Sequence, residues 1–201
     1  MCKNIILGFE IVFLSAFSYI AFADWEGSFE VNYTGKQSIP KVVGQMRMKK
    51  DKIRIDSTAP AQVSTLVNLK LKKAWTLLHA QKMLMETNVS NVEAYTQFCE
   101  TSEIEACLKK RGFKKLGSEN IQDHKCDIYE SETKTDGKTR HVKLWHPTDL
   151  NEVPALKSII TDTDGNKIET VFSNIKITPQ ADNYFAVPKN YKNIGSPQDL
   201  L

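Results

Sequence analysis

The sequence predicts a mainly β protein with some α-helix: a curled antiparallel sheet, or unclosed β-barrel, of about ten strands, with a helical insertion covering its concave face. Three observations support this fold class. Apolar and polar residues alternate with period two along most of the chain, as in strands whose successive side chains leave opposite faces. Short polar breaks of the hairpin type separate these runs. Only one region, about Ser90 to Arg111, has the three-and-four spacing of a helix.

The first 23 residues are typical of a secretory signal peptide. Lys3 precedes an apolar run from Ile11 to Phe22, and Ala21-Phe22-Ala23 has the small-x-small pattern of a cleavage site. The apolar run is short for a membrane span. We therefore expect cleavage after Ala23 and a periplasmic or secreted protein without an integral membrane span. The alternative is a permanent membrane anchor.

The composition excludes a dedicated nucleic-acid surface. The chain has 27 Lys and Arg against 24 Asp and Glu, and the basic residues are spread along it rather than clustered on one element. Residues 24–191 are enough for a single domain with a real core. Residues 192–201 contain Gly195 and Pro197 and little to bury, so we expect a flexible tail.

The first half of the mature chain alternates from Trp25 to Tyr33 and again, as a meander of about five strands, from Val42 to Thr87. The helical region follows. Within it, Ser102 and Glu105 have capping-box spacing, and Gly112 stands where a left-handed residue ends a helix.

Strands resume after Gly112, and two Asp-Gly pairs, at Asp136 and Asp164, predict hairpins between them. The predicted strands of this half are Phe113–Ile121, Cys126–Glu132, Thr139–Trp145, Ala155–Thr161 and Lys167–Ile177, with a short edge piece at Tyr184–Tyr191.

Methionines are the candidate functional feature of the meander. Two Met-x-Met pairs, Met46/Met48 and Met83/Met85, are placed on neighbouring strands. Three interpretations remain open: a solid core, a Cu(I) site built from soft thioethers, or an adaptable groove for acyl chains. The predicted apolar lining consists of Phe29, Met46, Met48, Ile53, Ile55, Leu66, Trp75, Leu77, Met83 and Met85.

The cysteines of the mature chain are Cys99, Cys107 and Cys126. In an oxidising compartment two of them are expected to form a disulfide. Cys99–Cys107 would join two helical pieces, and a bond from either one to Cys126 would attach the insertion to the sheet. A zinc site formed by these three cysteines with His124 is the alternative, although its spacing matches no standard pattern.

Enzyme motifs are not found. The sequence has no GxSxG, HExxH, phosphate-loop or GxGxxG pattern. His141, His146 and Asp149 are near one another in sequence, but strand geometry would not bring them together. The prediction is a protein without catalytic residues, cofactor or bound metal.

Several motifs occur in the order seen in a known superfamily. They are Met46 to Ile55, Lys82-Met83-x-Met85, Leu116-Gly117-x-Glu119, Cys126-x-x-Tyr129, Trp145, the Pro154 connector, the Asp164-Gly165 hairpin, Phe172-Ser-Asn-Ile-Lys176 and Asp182-x-Tyr-Phe185-x-Val-Pro188-x-x-Tyr191. This order resembles the outer-membrane lipoprotein carrier superfamily (LolA/LolB-like), and most of all an uncharacterised periplasmic relative of it.

The resemblance implies an unclosed antiparallel barrel with helix over its concave face, an apolar cavity for acyl chains or an apolar partner, and no catalysis. Two departures are evident: the lid-latching arginine of such carriers cannot be placed here, and only one helical region is visible. The predicted function is binding of a hydrophobic ligand, a lipid or a lipoprotein acyl chain. The alternatives are an envelope assembly or stress factor that binds a protein segment, and a copper-binding protein.

Overall fold

The computed structural model describes residues 24–36, 38–89, 104–135, 138–150 and 152–196. These residues form twelve strands, one α-helix (α1) and two short 3-10 helices. In chain order they are β1 (Trp25–Thr34), β2 (Val42–Lys49), β3 (Lys52–Ala59), β4 (Val63–Asn68), β5 (Lys73–Leu78), a 3-10 helix (His79–Gln81), β6 (Met83–Asn88), α1 (Ile104–Lys110), β7 (Lys114–Ile121), β8 (His124–Thr135), β9 (Lys138–Pro147), β10 (Lys157–Asp162), β11 (Lys167–Ile177), a second 3-10 helix (Asp182–Phe185) and β12 (Lys192–Asn193).

The hydrogen-bonded strand order is β12-β6-β5-β4-β3-β2-β1-β11-β10-β9-β8-β7. The mainly β class and the antiparallel meander are therefore confirmed, and the order is an open series. The described strands number twelve rather than about ten. Of the predicted helical insertion only residues 104–111 are described, with helix over Ile104–Lys110, so its position over a concave face stays a prediction.

Two corrections concern the C-terminal end. The predicted edge piece at residues 184–191 is not a strand, because the chain forms a 3-10 helix over Asp182–Phe185 and then crosses a sheet face. Residues 192–195, predicted as part of a flexible tail, are held along β6. There β12 pairs in parallel with β6, Lys192 opposite Met83, and Gly195 accepts a hydrogen bond from the Glu86 amide at 3.1 Å.

The chain divides into two compact units. Of the described residues, the helix unit contains 31–36, 38–40, 104–135, 138–150 and 152–171, and with them α1 and β7 to β10. The methionine unit contains the described residues 24–30, 41–89 and 172–196, and with them β2 to β6 and β12. Strands β1 and β11 each contribute residues to both units.

In the helix unit, α1 packs through Leu108 against Phe113, Tyr129 and Leu144. The predicted helix end is confirmed, because Gly112 has a φ of 80° and its amide donates to the Lys109 carbonyl at 3.0 Å. This hydrogen bond and the positive φ of Gly112 direct the chain from the helix into β7.

The Asp164-Gly165 hairpin is also confirmed, between β10 and β11. Gly165 has a φ of 79°, which the missing Cβ permits. The Asp162 carboxylate accepts from the amides of Asp164 and Asn166, each at 2.9 Å, and so fixes the turn.

Cys126 is a free, fully buried thiol. Burial is the largest cause that raises its pKa to about 11, and its Sγ lies 3.6 Å from the His124 carbonyl oxygen. A disulfide from Cys126 to either other cysteine, left open by the sequence, is therefore wrong. Cys99 lies outside the described residues, so a Cys99–Cys107 bond stays a prediction that mass spectrometry of the unreduced protein can test.

The zinc alternative gains no support in the described residues, where no three metal-ligating side chains are grouped. His124 instead places Nδ1 2.8 Å from Asp149 Oδ2. The predicted signal peptide, Ser102 of the capping box and the Asp136-Gly137 turn lie outside the described residues. Within the described part of the chain, no helix has the length and apolar character needed to cross a membrane.

Candidate functional site

The strand registers of the methionine unit assign the side chains of β2 to β6 to two faces, because antiparallel partners share a face. One row runs across all five strands and contains Met46, Ile55, Thr65, Thr76 and Met85. The next row on the same side contains Met48, Ile53, Val67, Ala74 and Thr87. We call this side the methionine face.

The methionine face has bulky ends and a floor of smaller side chains. Met46, Met48, Ile53, Ile55 and Met85 are at most 2% exposed. In these two rows, β4 and β5 contribute half-buried side chains of smaller volume: Thr65, Val67, Ala74 and Thr76. A third row on the same face contains Val63, Leu78 and Met83, which are also half-buried. The side chains of this face are thus large, apolar and buried at β2, β3 and β6. In the two rows above, the side chains of β4 and β5 are smaller and partly exposed to solvent.

Strand β1 extends this face. A Cβ built on Gly44 would stand 2.8 Å from Phe29 Cζ and 2.0 Å from the Asp56 carbonyl oxygen. Gly44 precedes Met46 by two residues, so the Phe29 ring occupies the place that a Gly44 side chain would take on the methionine face. Only glycine allows this close approach.

Trp25 shares the face of Phe29, because the two residues are separated by two strand periods and both are buried. Both rings pack on Phe172, at 5.9 Å and 86° for Trp25 and at 6.5 Å and 60° for Phe29. This aromatic group forms the β1 end of the methionine face.

The opposite side of the same strands, which we call the covered face, has different chemistry. One of its rows contains Arg47, Arg54, Leu66, Trp75 and Glu86, and the next contains Gln45, Asp56, Ser64, Leu77 and Leu84. Of the ten residues predicted to form one lining, three therefore lie on the covered face: Leu66, Trp75 and Leu77. The other seven, Phe29, Met46, Met48, Ile53, Ile55, Met83 and Met85, lie on the methionine face.

The C-terminal segment, residues 180–191, crosses the covered face. Val187 and Tyr191 pack against the cluster of Leu66, Leu77 and Leu84. Over β2 and β3 the contacts are polar. The charged side chains of Lys49 and Arg54 donate to the backbone oxygens of Gln180 and Tyr184, each at 2.7 Å, and Lys52 Nζ lies 3.0 Å from Asp182 Oδ1.

A buried polar network lies beneath this segment. Asp56 accepts hydrogen bonds from Arg54 Nε at 2.8 Å, Arg47 Nη1 at 3.0 Å and Ser64 Oγ at 2.5 Å. Burial alone would raise the pKa of Asp56, but the hydrogen bonds from Arg54 and Ser64 and the two arginine charges hold it below its ordinary value. His79 connects the network to the C-terminal segment, with Nε2 2.6 Å from Ser64 Oγ and Nδ1 2.7 Å from the Tyr191 hydroxyl.

This network does not have the order of a hydrolase triad, in which the histidine lies between the serine and the carboxylate. Here Ser64 lies between Asp56 and His79, and it is 1% exposed. The arrangement holds the C-terminal segment in place. The network was not predicted from the sequence, although the charged residues that alternate with Met46, Met48, Ile53 and Ile55 were a signal that the second face is also occupied.

The registers also separate the two methionine pairs, which the sequence placed on neighbouring strands. Met46 lies on β2 and Met85 on β6, with β3, β4 and β5 between them. Four inter-strand spacings correspond to roughly 19 Å. The predicted placement of the two pairs on neighbouring strands is therefore wrong, and thioethers at that separation cannot share one copper ion.

The fold and the two faces define a mainly β protein built on one extended, largely antiparallel sheet. The chain belongs to the family described as a domain of unknown function, DUF4412, whose model matches residues 25–166. No curated protein matches the chain in sequence.

Solved structures similar to the chain include a LolA superfamily protein from Nitrosomonas europaea, at 12% identity over 89% of this chain and 96% of that one, with a TM-score of 0.47. The lipoprotein LppX of Mycobacterium tuberculosis is 14% identical over 78% and 88%, with a TM-score of 0.44. A putative outer membrane lipoprotein-sorting protein domain from Vibrio parahaemolyticus is 12% identical over 91% and 95%, with a TM-score of 0.45. The chain is thus similar to solved structures of the superfamily that its sequence resembles, and these likenesses carry no argument about fold or activity.

Proposed function

We propose that this is an exported, non-catalytic protein that binds a hydrophobic ligand, a lipid or the acyl chain of a lipoprotein, on the methionine face. The observation that carries the proposal is the shape of that face. A floor of Thr65, Val67, Ala74 and Thr76 that remains partly accessible lies between buried methionine and isoleucine side chains. A flexible hydrocarbon chain can lie along this row of smaller side chains, between the larger methionine and isoleucine side chains.

The chemistry of the bordering residues supports the same ligand class. Methionine side chains have three rotatable bonds and a polarizable sulfur, so they adapt to acyl chains of different shape. Such a chain gains roughly 25 cal/mol for each Å² of apolar surface that it removes from water. The charged residues of the meander lie on the covered face, so a ligand on the methionine face avoids an unpaired charge.

The test measures binding of diphenylhexatriene, a hydrocarbon whose fluorescence rises in apolar surroundings, to the mature chain. The variant Ala74→Phe places a large ring on the floor, and we expect it to weaken binding about tenfold or more, since overfilled apolar sites lose one to a few kcal/mol. Ala80→Phe is the matched control, because Ala80 is exposed in the 3-10 helix after β5. Circular dichroism melts show whether both variants fold.

Two results would reject the proposal: no saturable binding by the wild-type protein, or equal binding by the Ala74→Phe variant. Native mass spectrometry of protein purified from its own cell envelope supplies a second readout. Co-purified lipid supports the proposal, whereas a stoichiometric peptide or protein in its place would favour the envelope-factor alternative.

A further inference from the structure

The three tryptophans differ in what their indole N–H groups contact. In the methionine unit, Trp75 Nε1 donates to Glu86 Oε2 at 2.9 Å. In the helix unit, Trp145 Nε1 donates to Glu119 Oε2 at 2.9 Å. Trp25 Nε1 is buried and has no hydrogen-bond partner among the described residues. The same chain thus pairs two indoles with carboxylates and leaves the third as an unused donor.

An unused donor in this position is costly. Trp25 is 1% exposed, so its unpaired N–H has lost its hydrogen bonds to water without replacement. Among the described residues, the other buried side-chain nitrogen without a hydrogen bond is Arg47 Nε, which still has the Glu26 carboxylate at 3.4 Å. Of these two nitrogens, Trp25 Nε1 therefore has neither a hydrogen bond nor an ion-pair partner.

The position of Trp25 connects this donor to the methionine face. Its ring packs edge-on against Phe172, beside Phe29, at the β1 end of that face. The ring is buried against Phe172, and a hydrogen bond formed away from water is electrostatically stronger. An indole N–H is a donor only, so its complement must be an acceptor.

We propose that the Trp25 N–H anchors the polar end of the ligand by donating a hydrogen bond to a carbonyl or carboxylate oxygen, while the hydrocarbon chain lies along the methionine face. The inference rests on the proposed function and narrows it. The ligand class becomes acyl compounds, such as fatty acids and their esters, in preference to hydrocarbons without an acceptor. Trp25 is then a specificity-determining residue.

The experiment compares two fluorescent probes. Cis-parinaric acid is an 18-carbon polyene with a carboxylate, and diphenylhexatriene has no acceptor oxygen. Trp25→Phe retains an aromatic ring but removes the donor, so we expect it to weaken parinaric acid about tenfold and to change diphenylhexatriene binding less than twofold. Trp75→Phe is the matched control, because it removes an indole N–H from the covered face and is expected to change neither affinity.

An NMR measurement makes the test independent of the folding of the Trp25 variant. The indole resonances of wild-type protein are assigned from Trp75→Phe and Trp145→Phe spectra, and parinaric acid should move only the Trp25 N–H signal downfield. An unmoved Trp25 signal, or a Trp25→Phe variant that weakens both probes equally or neither, overturns the anchor while leaving ligand binding intact. A wild-type protein that binds neither probe overturns the proposed function, and the anchor with it.

Discussion

The two faces of strands β2 to β6 use the same backbone for different purposes. The covered face has its ionic and polar groups paired, from Asp56 with Arg54 to His79 with Tyr191, and the chain's own residues 180–191 lie on it. The methionine face combines thioether, aliphatic and threonine side chains with one indole donor, Trp25 Nε1, that has no partner among the described residues. On the covered face Arg47 Nε also lacks a hydrogen bond, but it still has the Glu26 carboxylate at 3.4 Å. The ligand proposed above is therefore placed on the methionine face.

The largest expected effect is a loss of stability, without a loss of ligand binding, when a buried leucine of the covered face is truncated. Leu77→Ala removes a side chain that is 1% exposed within the cluster covered by Val187 and Tyr191. The free energy of unfolding should fall by about 2–5 kcal/mol, because the truncation leaves a cavity. Urea denaturation measures this loss, and titration with diphenylhexatriene under native conditions should show unchanged affinity.

Met46→Leu is the counterpart on the methionine face. It conserves volume, so the expected loss of stability is below about 1.5 kcal/mol, whereas ligand affinity should change. The division between the faces fails if Leu77→Ala abolishes binding while the protein remains folded, or if Met46→Leu changes stability alone.

A smaller effect concerns pH. Because the pKa of Asp56 is lowered in the folded protein, its contribution is fully present above the ordinary value of 3.8 and is lost as the pH falls through the folded-state pKa. Asp56→Asn should therefore cost about 1–3 kcal/mol at neutral pH. The difference in unfolding free energy from the wild type should shrink as the pH falls below 3.8. Urea titrations at pH 7 and pH 3 measure both values, and a difference that stays constant between them would contradict this account.

The smallest effect is expected at the edge of the covered face. Asp182 contacts Lys52 Nζ at 3.0 Å, but its side chain is 72% exposed. Solvent screens such a pair, so Asp182→Asn should leave the urea midpoint unchanged within error, at low and at high salt. A clear loss of stability would mean that the polar contacts, rather than Val187 and Tyr191, hold the C-terminal segment.

The sequence predicted the fold better than the site, for reasons visible in particular residues. Alternation places Met46 and Met48 on one side of β2, and the glycines at 112 and 165 mark turns because they need positive φ. Alternation cannot say which side of the next strand shares that face, since this depends on register. Leu66, Trp75 and Leu77 were therefore grouped with the methionines, although Leu66 is opposite Arg54.

Contacts between residues far apart in the sequence could not be predicted from it either. The pairing of β12 with β6 connects positions about a hundred residues apart. Gly195, whose residue type predicted a flexible tail, accepts a hydrogen bond from the Glu86 amide. Whether an indole finds a partner depends on neighbours in other strands. That the Trp75 N–H is paired and the Trp25 N–H is not could therefore be seen only in the three-dimensional structure.

The C-terminal segment also sets the order in which the protein can mature. Strands β2 to β6 are synthesised long before residues 180–195, yet Arg47, Arg54 and the leucines beneath Val187 acquire their native surroundings only when those last residues arrive. A nascent chain thus stays incompletely packed until synthesis is almost finished. Under the export proposed above, late completion of this kind would keep the chain unfolded during its passage through a translocation channel.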